Sequence, residues 1–584
     1  MDNEQVAAIL TEIGTLLELK GENPFKTRAY ATAARTVETL GEPIADVIAR
    51  DQLAGVKGIG EGIRKKVVEL VTTGRLAYYE ELKASIPPGL LSMLEVPGLG
   101  PKKVKALHDQ LGIQSVEELE AACLDGRVAK LKGFGEKTAV NICQGIQRRR
   151  SVASRHLLLD ALNAAEPLLD DLRQHPDVVR CNAAGSLRRR KEIIGDIDLL
   201  VSTKQPRPVI EYFTGREGIA NVIAKGDTKA SVLLEGGMQC DLRVVADREF
   251  PYALMYFTGS KEHNIVMRQR AIERGLRLNE YGLFRSKEET RDPKRLVVCQ
   301  TEEEIYRELG LNYIPPELRE DMGEFALAEK EPFPRLIDWH DLRGSLHNHS
   351  NWSDGRMTLE QIARSMGEVG LSYWAITDHS KSSIQANGLD AERLRRQVRE
   401  VKELNQRLAD EGVDFRLLTG VEVDILAEGK LDFPDDVLAE LDVVVASAHQ
   451  RLAQDEAQTT RRIIRAAENR FVHMLGHLTG RLLLSRDPQK VNVRAVIDAC
   501  AETGTWIELN GSPDRLDMDW RHWAYARSKG VKCVINCDAH RFQDVAYLRL
   551  GAEVARKGGL TKDDVINTLP LESLRKQLAI KRGS

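Results

Sequence analysis

The spacing of apolar and polar positions changes character several times along the chain. Over residues 1–150 apolar residues recur at helical spacing between short turns, which predicts a helical region. Over 151–250 short apolar runs such as DIDLLVS and QCDLRVV appear, with helical stretches around them. These runs read as strands. Residues 251–320 mix helix and short strand. Residues 321–340, DMGEFALAEKEPFPRLIDWH, are acidic and carry two prolines, which predicts a linker. From 341 to about 575 apolar runs alternate with helical stretches. That rhythm predicts a parallel α/β domain, of which a barrel is one form. At 584 residues the chain is too long for one core, and three to five domains are expected.

One pattern recurs inside the helical region: VKGIGEGIRKK (56–66), VPGLGPKKVKA (96–106) and LKGFGEKTAVN (131–141). Each is an apolar residue, a Gly-x-Gly turn and a helix start. Glycine permits the tight turn. The helix start offers free N–H groups and a positive dipole end to a phosphate. The three copies, Gly58 and Gly60, Gly98 and Gly100, Gly133 and Gly135, resemble the helix-hairpin-helix motif, which grips a DNA backbone without reading sequence.

Composition adds exclusions. Apolar content of 42% and charged content of 29% are those of an ordinary soluble protein. The net charge of −4 announces no global polyanion field. Residues 1–150 hold 21 Lys and Arg against 20 Asp and Glu, a net of +1, and residues 301–340 hold 4 against 11, a net of −7. Any site for nucleic acid is therefore a local patch. The eight cysteines form no C-x-x-C pair, which favours reduced thiols in a cytosol over disulfides or a zinc knuckle. The start MDNEQVAAIL lacks a signal-like core, and no stretch is long and apolar enough to span a membrane.

Two constellations carry candidate chemistry. In GDIDLL (195–200), strand alternation puts Asp196 and Asp198 on one face and Ile197 and Leu199 in a core. Two carboxylates side by side call for a cation, and hard oxygen ligands suit magnesium or manganese. Asp241 in QCDLRVV is the best third carboxylate for a two-metal site, and the basic turn GSLRRR (185–190) is placed to hold substrate phosphates. The second constellation lies from 340 onward, where nine of the thirteen histidines occur. His347 and His349 share the run LHNHS, and His379, His449, His477 and His540 end further apolar runs, with Asp354, Glu422 and Asp538. In a parallel barrel such positions converge on one mouth. Mixed nitrogen and oxygen ligation suits zinc, manganese or iron. His340, His473 and His522 are assigned to core or surface, and Arg481 is either a phosphate ligand or a surface residue.

The ordered set GSLRRRKEIIGDID (185–198), QCDLR (239–243) and YFTGSKEHNIVMR (256–268) resembles the palm and thumb of family X DNA polymerases, the group that includes DNA polymerase beta. The resemblance runs over residues 1–320. It implies that Asp196, Asp198 and Asp241 bind the metals and that Asp241 assists deprotonation of the primer 3′-hydroxyl. It implies that Gly185, Ser186, Arg189 and Gly195 contact the incoming triphosphate and that Tyr256, Phe257 and Gly259 line the sugar pocket. Asn264 and Arg268 would face the nascent base pair or template. Lys66 matches the Schiff-base lysine of the family's 5′-deoxyribose-phosphate lyase, but Gly62 replaces the supporting lysine and Phe25 an upstream histidine. Arg64, Lys65 and Lys66 equally form a phosphate-binding cluster.

Residues 341–575 resemble the PHP (polymerase and histidinol phosphatase) domain, a metal-dependent phosphoesterase on a distorted (β/α)7 barrel. The resemblance implies up to three metals: one on His347, His349, Glu422 and Asp538, a second on Glu422, His449 and His477, a third on Asp354, His379 and His540. The order of the two halves resembles bacterial family X polymerases with a C-terminal PHP domain. It implies an N-terminal lyase-like domain (1–85), a helix-hairpin-helix fingers-like domain (86–150), a nucleotidyltransferase palm (151–250), a thumb (251–320), a linker (321–340) and the PHP domain (341–575). The implied activity is gap-filling DNA synthesis in base excision repair, with 3′–5′ exonuclease and AP-endonuclease or 3′-phosphatase activity. The implied partners are gapped or nicked DNA and dNTPs, acting as a monomer at the nucleoid in the cytoplasm. A structural barrel that only positions DNA, or a small-phosphoester phosphatase tethered to a DNA-binding arm, are the alternatives.

Overall fold

The structure is a computed structural model and describes residues 1–583 apart from 39, 41, 42, 97, 153, 287 and 289. The chain divides into two units, 1–153 and 154–584. The first is helical and has its own core, which runs from Val6 to Ile146. Its opening helix, Asn3–Lys20, shows why. Asp2 and Gln5 close a capping box at the start, Gly21 ends it at φ +76°, and Val6, Leu10, Ile13 and Leu17 line one buried stripe.

The second unit begins with a five-stranded sheet. Its strands are β1 (Val178–Ala183), β2 (Asp196–Thr203), β3 (Ile219–Lys225), β4 (Lys229–Leu234) and β5 (Gln239–Val245), in the order β1-β2-β5-β4-β3. β2 lies antiparallel to β1 and parallel to β5. Helices Phe250–Thr258, Lys261–Glu273 and Glu302–Glu308 then pack with a small three-stranded sheet around Tyr252, Met267, Ile305 and Tyr306.

The stretch 321–340, expected as a linker, is mostly exposed and is anchored at a few buried positions. Helix Glu324–Ala328 buries Ala328 in the preceding core. Glu324 accepts from buried His263, and Ile337 is fully buried with its N–H on Leu560 O. Of the acidic residues in this stretch, Glu324 pairs with His263 and Glu329 with Arg270.

The last region is a ring of parallel strands: β6 (Gly344–Ser345), β7 (Tyr373–Ile376), β8 (Arg416–Asp424), β9 (Val443–Ser447), β10 (Met474–Leu475), β11 (Trp506–Asn510) and β12 (Cys533–Asn536). They pair in chain order, and a parallel bridge between Asn348 and Ala539 joins the last strand to the first. The interior strands are apolar on both faces because helices cover the outside. Helix Ala391–Asp410, for example, buries Leu394, Val398, Val401, Leu404 and Leu408. The terminal helix, Leu571–Gly583, runs past residue 575, and its Leu574 and Leu578 join the apolar plug at the barrel floor. One apolar cluster continues from the sheet of β1–β5 into the barrel, so 154–584 forms one unit.

Candidate functional site

The first centre stands on β2 and β5. Asp198 and Asp241 are register partners, and Asp196 lies two residues from Asp198, so all three carboxylates share one face. Ile197 and Leu199 are buried on the other face. Gly185 opens the GSLRRR turn at φ +59°, and a Cβ there would meet Asp198 Oδ2 at 2.2 Å, so only glycine lets the turn lie against this carboxylate. Burial, with Asp196 and Asp241 nearby, pushes Asp198 up to about 6. Burial and Asp241 likewise raise Asp196. Burial opposes ionisation of Asp241 too, but hydrogen bonds from Lys229, Gln239 and Ser231 outweigh it and hold its pKa below the usual range. Lys229 Nζ lies 2.7 Å from Asp241 Oδ2. Three mutually repelling oxygen donors suit a hard divalent cation. The sequence reading missed Lys229, although its alternation along β4 was the available signal.

Around this face gather the residues expected to meet a nucleotide. Ser186 follows Gly185, and Gly195 is exposed just before Asp196. Tyr256 and Phe257 pack edge to face with ring centres 5.2 Å apart, and Arg243 lies over Phe257 at 4.3 Å. Gly259 has φ +71°, and a Cβ there would come within 3.0 Å of Arg189. Asn264 is buried and donates to Tyr256 O at 2.7 Å, and Arg268 lies on the same helix with Nε 3.4 Å from Asn264 O. The basic turn is not a free cradle. Arg188 binds Glu302 at 2.6 Å, Arg189 binds Glu320 at 3.0 Å, and Arg190 reaches Glu553 of the barrel at 2.7 Å.

The second centre occupies the barrel mouth, and all nine expected ligands meet there. Glu422, on β8, lies at its middle. Its Oε1 is 3.3, 3.3 and 3.0 Å from Nε2 of His347, His449 and His477, and its Oε2 is 2.8 Å from Nδ1 of His379. Asp538 Oδ1 lies 3.0 Å from His349 Nε2 and 3.6 Å from His347 Nε2. Asp354 Oδ2 lies 3.6 and 3.5 Å from Nε2 of His379 and His540. The tight groups are His349–Asp354–His379–His540, His347–Glu422–His477, His347–His349–Asp538 and His379–Glu422–His449. His347 and His379 therefore each bridge sets that the resemblance kept apart.

The donor chemistry fits metal. Both oxygens of Glu422 and ring nitrogens of His347, His349 and His379 are buried without a hydrogen bond. Burial opposes charge throughout. Even so, His449 and the other neighbouring imidazoles hold Glu422 well below the carboxylate range, and Glu508, Asp538 and Glu422 hold His347 well above the imidazole range. His349 is pushed down to about 4 by burial and by His540 and His379, whose rings stack on it at 4.3 Å. Imidazoles crowded so closely around ionised carboxylates suit cations better than protons.

Second-layer partners escaped the sequence reading. Glu508 accepts from His347 Nδ1 at 2.7 Å, and Asp424 accepts from His449 Nδ1 at 2.6 Å. Both stand on strands next to chosen ligands, and the run WIELN carried the same signal as the runs that were read. Arg515, 3.8 Å from Asp538, is a cation at this mouth that was also missed. Arg481 corrects an expectation. It is not a surface residue, but is buried on Glu192 at 3.0 Å and Asp519 at 2.8 Å. Of the histidines set aside, His473 is buried and bonded to Val444 N–H, and His340 is exposed beside Asp338.

In the first unit, Gly58, Gly98 and Gly133 take φ of +98°, +84° and +93°. Gly60 and Gly100 cap helices Glu61–Thr73 and Pro101–Leu111, and Gly135 begins helix Gly135–Val152. Pro97, within the second motif, lies outside the described residues. Lys66 is half-buried, with Nζ 4.5 Å over the Tyr78 ring and 3.4 Å from Gly62 O.

Comparison with known proteins follows the same division. Family models match residues 1–76 (helix-hairpin-helix domain), 90–148 (SAM-like helix-hairpin-helix tandem), 253–320 (DNA polymerase beta thumb) and 345–512 (PHP domain). The chain is 37% identical over 576 residues to "DNA polymerase/3'-5' exonuclease PolX" of Bacillus subtilis (strain 168), covering 98% of this chain and 99% of that one. It is 30% identical over 221 residues to a protein named "probable phosphatase" from Thermoanaerobacter sp. (strain X514), covering 36% of this chain and 84% of that one. It is 23% identical over 319 residues to DNA polymerase lambda of Rattus norvegicus, covering 51% and 52%.

Proposed function

The chain belongs to the bacterial family X DNA polymerases that carry a C-terminal PHP domain, and on that premise we propose how its two centres divide the work. It is a DNA-directed DNA polymerase with a 3′–5′ exonuclease. Its task is to fill short gaps during base excision repair in the bacterial cytoplasm. The observation that supports this most is the presence, on separate sheets of one chain, of a three-aspartate face and a histidine–carboxylate cluster that could hold metals.

At the first centre Asp196, Asp198 and Asp241 hold magnesium or manganese. When bound, such ions neutralise charge on the attacking and leaving oxygens of an in-line displacement. Asp241, kept ionised by Lys229 and Gln239, accepts the proton of the primer 3′-hydroxyl. Gly185, Ser186, Gly195 and Arg189 bind the triphosphate, and Tyr256, Phe257 and Gly259 place the sugar. The helix-hairpin-helix turns hold the DNA backbone through Gly58, Gly60, Gly98, Gly100, Gly133 and Gly135.

At the second centre the nine ligands hold up to three manganese, zinc or iron ions. When bound, these activate water near neutral pH and offset phosphoryl charge. Glu422 and Asp538 stay ionised there, and the neighbouring carboxylates Glu508 and Asp424 aim His347 and His449. The likeness to a protein named as a phosphatase supports 3′-phosphate removal at the same mouth, and AP-endonuclease cleavage is the same class of chemistry. Lys66 stays outside the catalytic set. Its ammonium packs on Tyr78, and Gly62 stands where the family has a second lysine.

The test is degradation of 3′-labelled DNA with a single-nucleotide gap, in manganese without nucleotides. Wild type and Asp198→Ala lose the label, whereas His349→Ala retains it. With nucleotides, Asp198→Ala incorporates none and His349→Ala extends the primer. Loss of both activities in Asp198→Ala would refute the division.

A further inference from the structure

Each arginine of the GSLRRR turn is held by a carboxylate, and for Arg189 that carboxylate is shared. Arg189 Nε lies 3.0 Å from Glu320 Oε1, and its Nη1 donates to Thr258 O. The same Glu320 oxygen takes Lys557 Nζ at 2.7 Å. Lys191 stands further off, 4.0 Å from Oε2. Lys557 is the last residue of barrel helix Tyr547–Lys557, and its side chain is 0% exposed. Its other protons go to Arg189 O at 3.0 Å and Glu317 O at 3.2 Å. A buried lysine from the nuclease barrel thus touches both the backbone of the nucleotide turn and the counter-charge of its arginine.

We propose that Lys557 is a positioning residue for DNA synthesis: by keeping Glu320 neutralised, it frees Arg189 to leave that carboxylate for the triphosphate of the incoming dNTP. The proposal rests on the reading that Arg189 contacts the triphosphate. Stripping a buried carboxylate of its only close cation is strongly unfavourable, because neither water nor a second charge replaces the lost partner. With Lys557 in place, Glu320 keeps an ion pair after Arg189 departs. Without it, only Lys191 remains, beyond hydrogen-bond distance. The exchange gains on the other side, since guanidinium and phosphate match in a two-pronged geometry. The bond from Lys557 to Arg189 O involves no side-chain atom of Arg189, so the backbone of the turn stays pinned while the guanidinium moves. The barrel thereby sets the nucleotide affinity of the sheet that bears Asp196, Asp198 and Asp241.

The experiment is steady-state filling of a single-nucleotide gap by the full chain, reading KM for the dNTP and kcat separately. Arg189→Ala raises KM. Lys557→Met raises KM about tenfold and changes kcat by less than about twofold, the pattern of a weakened ground-state grip. Lys557→Met/Glu320→Gln brings KM down to that of Glu320→Gln alone, because no carboxylate then retains Arg189. Glu320→Gln alone lowers KM, which decides the matter even if Lys557→Met folds poorly. A lysine that served only as a strut would instead lower kcat, without rescue by Glu320→Gln. That result, or an unchanged KM in Lys557→Met alongside a raised KM in Arg189→Ala, overturns the proposal. An unchanged KM in Arg189→Ala would refute the role of Arg189 itself and is recognised as that separate failure.

Discussion

A histidine has two ring nitrogens, and a metal site needs the correct one left bare. At the barrel mouth carboxylates make that choice. Glu508 can only accept, so the His347 proton sits on Nδ1 and Nε2 faces Glu422 and Asp538. Asp424 does the same for His449. Partners of this kind typically govern metal affinity by 10- to 100-fold. Glu508→Gln is therefore expected to weaken metal retention by about that factor while the barrel stays folded, measured as metal content after dialysis against graded chelator. Unchanged retention would assign Glu508 to barrel packing alone. At this scale the convergence of the nine residues was legible because most of them lie in or at the ends of apolar runs. Glu508 lies in the same kind of apolar run, WIELN, but its role as the partner of His347, 161 positions away, emerges only when the two are brought together.

At the scale of elements, the GSLRRR turn and the helix Glu302–Glu308 are fastened by a buried triad. Glu302 accepts from Arg188 at 2.6 Å and from Arg319 at 2.6 Å. Burial would raise the pKa of Glu302, but Arg319 and Arg188 outweigh it and hold it at about 2. A carboxylate whose folded pKa is depressed stabilises fully above its unfolded pKa, here 4.5, and loses that contribution as pH falls toward 2. Glu302→Gln should thus destabilise 154–584 by about 3 kcal/mol near neutrality, and urea unfolding should show the gap from wild type closing between about pH 4.5 and 2. A gap independent of pH would remove the charge from the explanation. The strands and the Gly-x-Gly turns were readable locally, since alternation and positive φ are properties of adjacent residues. The triad joins segments more than a hundred residues apart and left no local trace.

Over the whole molecule, the barrel and the β1–β5 sheet are fastened by buried charge as well as by apolar contact. Glu192 takes Arg481 at 3.0 Å and Trp520 Nε1 at 3.1 Å, Arg190 takes Glu553, and Arg556 takes Glu317 at 2.7 Å. Cutting the chain at 340 strips Lys557 of Glu320 and Arg481 of Glu192, leaving Arg481 only Asp519, and uncompensated buried charge is destabilising. The isolated fragment 341–584 is expected to melt at least about 5 °C below the barrel transition of 154–584 in calorimetry. Residues 1–153, with a core of their own, should unfold in a cooperative transition when produced alone. Equal melting of 341–584 and 154–584 would mean that the buried pairs contribute nothing to barrel stability.

The sequence by itself determined the elements and the chemistry. Period 2 and period 3.6 are written in neighbouring residues, and carboxylates and imidazoles at strand ends announce metals before any fold is known. The tertiary structure alone decided which charges meet. Arg189 was read as a triphosphate contact and Arg481 as a phosphate ligand or surface residue, and each meets a carboxylate brought from far along the chain. A buried ion pair depends on two surfaces docking and excluding solvent, and nothing in the neighbourhood of either residue specifies that distance.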